Sequence, residues 1–190
     1  MRLLTTLVVL VVAGAPSETV GQRSEAVGSV EDIYVARSLR LSRVAPTAFC
    51  AEGQVGFGNA TFEDQYSFRA TATRASDGKI TNANGKEVGR LRACLGSTPD
   101  PLVVNFYAQG TLDGVSFTGR GECRVTRQDF PEPGITPCRC FLALTDLPAG
   151  YVGGQLTTNT VLSRQAIGEA SDPPGYVQPS IATVRLWKRR

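Results

Sequence analysis

Along residues 115–127 apolar and polar side chains alternate with a period of two. Val115, Phe117, Gly119, Gly121, Cys123 and Val125 fall on one face, and Ser116, Thr118, Arg120, Glu122, Arg124 and Thr126 on the other. Such alternation marks an antiparallel strand with one face on a core and the other in water. The same period recurs at 66–74 and at 102–112, and further strand-like stretches lie at 30–43, 54–61, 87–95, 138–144, 151–164 and 177–187. Clusters of Gly, Pro, Asn and Asp separate them, and Asp77-Gly78, Asn84-Gly85 and Asp113-Gly114 are strong tight-turn signals. No stretch has the period and length of a three-turn helix, so crossover βαβ units are excluded. The pattern predicts an all-β, antiparallel, eight- to nine-stranded closed or nearly closed barrel, with a sandwich as the alternative. Gly119, Gly121, Gly153 and Gly154 suit the bends and bulges of a strongly curved sheet. Residues 170–179 read as a surface loop before the last strand.

The N-terminus departs from this pattern. Arg2 precedes an apolar run that ends at Ala13-Gly14-Ala15, the layout of a secretory signal peptide. The run falls short of the roughly 20 apolar residues of a membrane-spanning helix. Pro16 disfavours a cut directly after Ala15, which leaves Ala13, Gly14 or a site near Gly21. The expected organisation is a signal peptide within 1–21 and one barrel domain over 22–190, secreted or otherwise outside the cytoplasm. No stable membrane anchor is indicated.

Export changes how Cys50, Cys94, Cys123, Cys138 and Cys140 are read. In an oxidising compartment they are candidates for disulfides, and an odd number leaves one thiol over. Cys138 and Cys140 lie two apart on one strand face, with Cα atoms about 6.6 Å apart at 3.3 Å per residue. That is the long limit for a bridge, so they should have different partners. A hairpin over 128–137 would bring Cys123 close to one of them, leaving Cys50 and Cys94 as a second pair. With no second tight cysteine pair and no histidine, no metal site is expected.

Composition then narrows the chemistry. The chain has 190 residues, 42% hydrophobic and 19% charged, and no histidine. That suits one globular domain. It excludes Ser-His-Asp triads, Cys-His dyads and imidazole proton shuttles. A formal charge of +3, evenly spread, gives no sign of a nucleic-acid partner. No phosphate-binding glycine loop is present, and no cofactor is expected. What remains is chemistry by carboxylates, tyrosine, arginine or a thiol. Asp64, Tyr66 and Phe68 share one strand face, where an acid and a phenol beside an aromatic ring could work in an apolar cavity; Glu63 falls on the opposite face. Burial alone would favour the protonated acid at Asp64. Arg90 and Arg92 share a face with Val88 and Cys94 and could hold a carboxylate. Asn105 and Tyr107 lie on one mixed face of their strand, and Phe106 on the other. Glu122 between Arg120 and Arg124 reads as a surface charge ladder. Trp187-Lys188-Arg189-Arg190 reads as a strand end and solvated tail, and Asn59-Ala60-Thr61 as a glycosylation sequon.

The order Asn84-Gly85-Lys86-Glu87-Val88-Gly89, then Phe106 with the strand, turn and strand of 110–119, then Val152-Gly153-Gly154, resembles the barrel of plant dirigent proteins and allene oxide cyclases. The likeness spans about residues 28–187. It implies an eight-stranded antiparallel barrel with an apolar cavity. No catalytic residue of that family maps onto a position here, and the chain departs from it in its cysteines and its lack of histidine. The expected function is action on a small apolar molecule in the cavity, as a cofactor-independent cyclase, isomerase or conformational guide. Asp64, Tyr66 and Tyr107 are then the catalytic candidates, with Arg90, Arg92, Asn105, Phe68 and Phe106 as ligand contacts. A lipocalin-type binder without turnover, or a solid structural domain, is the alternative. Self-association is left open.

Overall fold

A computed structural model of the chain describes residues 29–52, 60–126, 135–163 and 180–189. The strands are β1 (Ser29–Val44), β2 (Ala60–Arg74), β3 (Ile80–Ser97), β4 (Val103–Leu112), β5 (Val115–Val125), β6 (Ile135–Thr145), β7 (Tyr151–Ser163) and β8 (Ser180–Arg189). One short helix, α1 (Ala48–Glu52), follows β1. Each strand pairs antiparallel with the next, and β8 closes on β1, from Ser29 opposite Arg189 to Arg37 opposite Ile181. The result is a closed eight-stranded barrel with no free edge. Among the described residues no helix is long and apolar enough to cross a membrane. The signal-peptide reading of 1–21, the loop at 170–179 and Asn59 of the sequon lie outside the described residues.

Two features of the sequence reading change. Eight strands form where nine stretches were marked: Ala60 and Thr61, the end of one stretch, run on into the next as β2. Most of the 54–61 stretch lies outside the described residues. Asn84-Gly85 makes no hairpin. Both residues have positive φ (50° and 70°), but the pairing runs from Ala70 opposite Lys86 to Ala72 opposite Asn82. The residues between are looped out as a bulge within β3, and the ladder resumes beyond them. The β2–β3 connection is instead the Asp77-Gly78 turn, with a hydrogen bond from Gly78 N–H to the carbonyl of Ala75 (2.8 Å). Asp113-Gly114 does turn the chain between β4 and β5. Both residues have positive φ (48° and 81°), as a two-residue hairpin of matching twist requires.

The barrel interior is packed at the end that carries these hairpin turns. Ala36, Ala70, Ala93, Ala108 and Ala182 are fully buried and face one another across neighbouring strands. Leu112, Phe117, Leu144 and Leu186 fill the space around this belt. Tyr34 lies at the same end, its hydroxyl donating to Asp113 Oδ2 (3.3 Å), and Lys188 pairs with Asp32 (2.5 Å). Lys188 and Arg185 are thus in ion pairs, the latter with Glu31, so the strand end before Arg190 is tied to β1. Arg124 pairs with Glu122 on the exposed face of β5, as a surface ladder should.

The glycines of the curved wall are needed for close approach. A Cβ at Gly121 would fall on the carbonyl oxygen of Phe141 in β6, where Gly121 stands opposite Leu142. Gly121→Ala is expected to lose about 1–3 kcal/mol, the usual range for overpacking. Urea denaturation checks this as a lower midpoint with unchanged slope. Gly153, with φ 154°, sits at a register shift between β7 and β8, the bulge expected of that pair.

Candidate functional site

At the opposite end from the hairpin turns, the barrel encloses a cavity of about 310 Å³. That lies at the lower end of the roughly 300–1,000 Å³ usual for small-molecule sites. Its walls are mainly apolar, with Phe68, Leu91, Phe106, Leu142 and Leu156 at depth. One side is polar, where Arg40, Arg43 and Tyr66 line it. Hydroxyls of Thr158, Thr160 and Ser180 line another part, and Thr160 donates to Ser180 (2.9 Å).

The polar side is built by one irregularity. In a regular strand, side chains three apart point to opposite faces. The β1–β2 register shifts between Arg40, opposite Tyr66, and Ser42, opposite Gln65. Leu41 is the extra residue, and it is exposed. Beyond it Arg43 stands opposite Asp64, so Arg40 and Arg43 both reach the inside. Bulges re-aim side chains in this way.

Asp64 is fully buried behind Arg43 and Tyr66. Arg43 grips it in a bidentate pair, Nε to Oδ1 and Nη2 to Oδ2, both 2.7 Å. Tyr66 Oη donates to the same Oδ2 (2.8 Å). Three donors occupy this carboxylate. Asp64 is therefore not a lone acid beside a phenol but one partner of a bidentate pair with Arg43, among the strongest hydrogen-bonded arrangements. Burial raises the Tyr66 phenol well above its ordinary range, and the Asp64 charge and hydrogen bond add to this, against the opposing charges of Arg43 and Arg40. Tyr66 therefore stays protonated at any physiological pH. Its ring lies 6.5 Å from that of Phe106 across the cavity wall.

Of the residues expected at the site, Asp64, Tyr66, Phe68 and Phe106 come together. Tyr107, Asn105, Arg90 and Arg92 do not, because the inner faces of β3 and β4 carry Leu91, Ala93, Phe106 and Ala108 instead. Arg90 is exposed and pairs with Glu87 (2.8 Å). Arg92 is outside as well, pairing with Glu63 (2.5 Å) and lying over the Phe49 ring. Tyr107 packs against Phe49 at 5.5 Å between ring centroids. Asn105, opposite Glu122 and Gly96, is not part of the cavity lining. Of these, Tyr107 belongs to a second small core in which α1 covers the barrel wall, with Phe49, Cys50 and Cys94. Glu63, buried at 2% exposure, is its polar centre. Burial pushes the Glu63 carboxyl up. Hydrogen bonds from Arg92 and from the Thr47 hydroxyl and N–H outweigh this and hold it below the usual range. Arg40 and Arg43 were missed in the sequence, since a bulge leaves no mark in the alternation of β1.

The cysteines resolve into two bridges. Cys50–Cys94 ties α1 to the outside of β3, and Cys123–Cys140 joins directly opposed positions of β5 and β6. Cys138 is the remaining thiol, buried opposite Val125. Its sulfur lies within 4.8 Å of both sulfurs of the Cys123–Cys140 bridge. With those two bonded to each other, only one thiol is left to offer a metal, fewer ligands than any thiolate cage uses. Burial raises the Cys138 thiol above its ordinary range, the condition of an unreactive cysteine. Comparison with family models, with curated proteins and with solved structures finds no match for the chain.

Proposed function

We propose that this protein takes one small, largely apolar molecule into the open end of its barrel and holds it there, outside the cytoplasm. The observation that carries this reading is the cavity itself: about 310 Å³ of space inside an otherwise packed barrel, with apolar depth, a charged side at Arg40 and Arg43, and a group of hydroxyls. Sites of that form fix a ligand by its apolar surface and orient it by a few polar groups. Binding without turnover is favoured over acid–base catalysis because the one buried carboxylate of the polar side already accepts three hydrogen bonds. It is not available as a general base within reach of a substrate proton. The two disulfides agree with an oxidising compartment.

A cofactor-independent cyclase or isomerase, as the resemblance to dirigent proteins and allene oxide cyclases implies, is the second reading. It is favoured by the Tyr66 and Phe106 rings, which form adjoining aromatic walls able to hold a flexible chain in one folded conformer. Positioning alone lowers such barriers.

The test is titration with N-phenyl-1-naphthylamine, a neutral dye that brightens in apolar surroundings. The expected result is saturable binding at one dye per chain. Thr158→Phe, which places a ring in the cavity from β7, should weaken it about tenfold or more, roughly the effect of losing 1.4 kcal/mol. Unsaturable brightening, or equal binding by the variant, would count against a cavity site. Recovery of a rearranged product from a bound polyunsaturated chain would favour the second reading.

A further inference from the structure

We propose that the molecule held in this cavity is an anion, an apolar chain or ring bearing a carboxylate, and that Arg40 is the residue that recognises it. The inference rests on the cavity reading above and goes beyond it by naming the charge of the occupant.

Two guanidinium groups reach the cavity lining, and among the described residues only one of them is matched. Arg43 spends its fork on Asp64. Both oxygens of Asp64 are taken by Arg43, and Tyr66 adds a third donor to Oδ2. One lone pair of Oδ1 stays open, but no hydrogen bond from Arg40 reaches it. Asp100, the one carboxylate among the described lining residues, is exposed at the rim, and its Oδ1 accepts from the N–H of Leu102. Among the described residues Arg40 enters no ion pair, and its Nη1 is a buried nitrogen with no hydrogen-bond partner. Buried polar groups are nearly always satisfied, and one that is not asks for a physical reason. A buried cation asks for it more strongly, because charge removed from water needs a counter-charge.

The surroundings of Arg40 show what the counter-charge would have to be. The deep walls are apolar, so a hydrated inorganic ion would lose its water without replacement. A carboxylate on an apolar body would place its oxygens on the guanidinium fork and its body against Phe68, Phe106 and Leu142. Guanidinium and carboxylate match in planarity and spacing, which makes arginine the usual partner in such bidentate pairs. Tyr66 stands opposite Arg40 across the β1–β2 ladder. Its hydroxyl proton is committed to Asp64, so it adds no competing donor.

The experiment compares decanoate with decanol, equal in chain length and different in charge, by calorimetric titration at pH 7.5. It uses the wild-type protein and Arg40→Met, with Arg40→Lys as a second variant. The wild type should bind decanoate at least about tenfold more tightly than decanol. Arg40→Met should remove that preference, chiefly by weakening decanoate, and Arg40→Lys should keep part of the preference. Without ligand, Arg40→Met should melt no lower than wild type, because it removes an unmatched buried charge. Equal affinities of the wild type for the two ligands would overturn the role of charge and leave the cavity reading standing, even if the variants did not fold. A preference that survives in a folded Arg40→Met would overturn the assignment to Arg40. Binding of neither ligand would overturn the inference together with the cavity reading.

Discussion

Asp64→Ala is expected to be among the most damaging single substitutions in the barrel, costing about 3–5 kcal/mol. The figure is that for removing one partner from a buried ion pair, because the other charge stays behind unmatched. Here two groups are stranded: the Arg43 fork, whose side chain is only 35% exposed, and the Tyr66 hydroxyl. For a chain of this size the loss corresponds to a fall in Tm of roughly 6–20 °C. Chemical denaturation measures it directly, as a lower midpoint at unchanged slope. The pair Arg43→Met with Asp64→Leu should lose much less than Asp64→Ala alone, since apolar replacement of both partners strands nothing. If the double variant were the worse of the two, the pair would be a net source of stability and the argument from desolvation would fail.

Two buried phenols, one in this cluster and one at the other end of the barrel, set an alkaline limit. Tyr66 and Tyr34 both have phenols raised above the ordinary range. Burial is the first cause in each, with the charge of Asp64 next for Tyr66, and of Asp113 and then Asp32 for Tyr34. A group whose folded pKa is raised favours the fold fully below its unfolded pKa, about 10 for tyrosine. That contribution is lost as pH climbs above that value toward the folded one, because the unfolded chain releases the proton first. Stability should therefore fall above about pH 10 and stay flat with respect to these two groups below it. Tyr66→Phe should make the alkaline fall shallower.

The reading from sequence was strongest where one face of a strand meets the core and the other meets water. β5 was legible almost residue by residue, and Asp113-Gly114 was legible as its turn, because period and turn chemistry agreed. Two physical features hid the rest. Bulges shift parity without changing composition: Leu41 turns Arg43 inward, and the Asn84-Gly85 bulge mimics a hairpin signal. A covered outer face also looks like an inner one. Cys94 and Tyr107 are buried on the outside because α1 lies over them, so their strand faces carry apolar residues where an exposed wall would be polar. That is why Arg90, Arg92, Asn105 and Tyr107 could be read as cavity residues from their neighbours alone. Tyr66, Phe68 and Phe106 fall on the cavity side of β2 and β4, with Asp64 behind Tyr66, because there the alternation runs undisturbed to the inner face.

The cover itself provides the last test. Removing the Cys50–Cys94 bridge, as Cys50→Ala with Cys94→Ala, is expected to cost about 4 kcal/mol. That is the chain-entropy value for a bridge spanning 44 residues, and the Cys123–Cys140 bridge, spanning 17, should cost about 3 kcal/mol by the same relation. The ordering should be reinforced by what each bridge holds. Cys123–Cys140 links strands already paired at those positions. Cys50–Cys94 holds a helix of five residues, too short to be stable alone, against Tyr107 and over Glu63. When α1 leaves, Glu63 loses both hydrogen bonds from Thr47 and keeps only Arg92. Glu63 has a lowered folded pKa, so its contribution is present above the unfolded value near 4.3 and disappears as pH falls through the folded one. The bridged protein should consequently lose stability on acidification below about pH 4.3, and the Cys50/Cys94 double variant should lose less over the same interval. Urea midpoints of the wild type and of the two double variants at pH 7 and pH 3 supply these comparisons. A larger loss from the Cys123/Cys140 pair at pH 7 would show that loop length does not govern these bridges. An acid limb unchanged by the loss of Cys50–Cys94 would mean that α1 stays docked without its disulfide, held by the Phe49–Tyr107 contact and by Arg92 over the Phe49 ring.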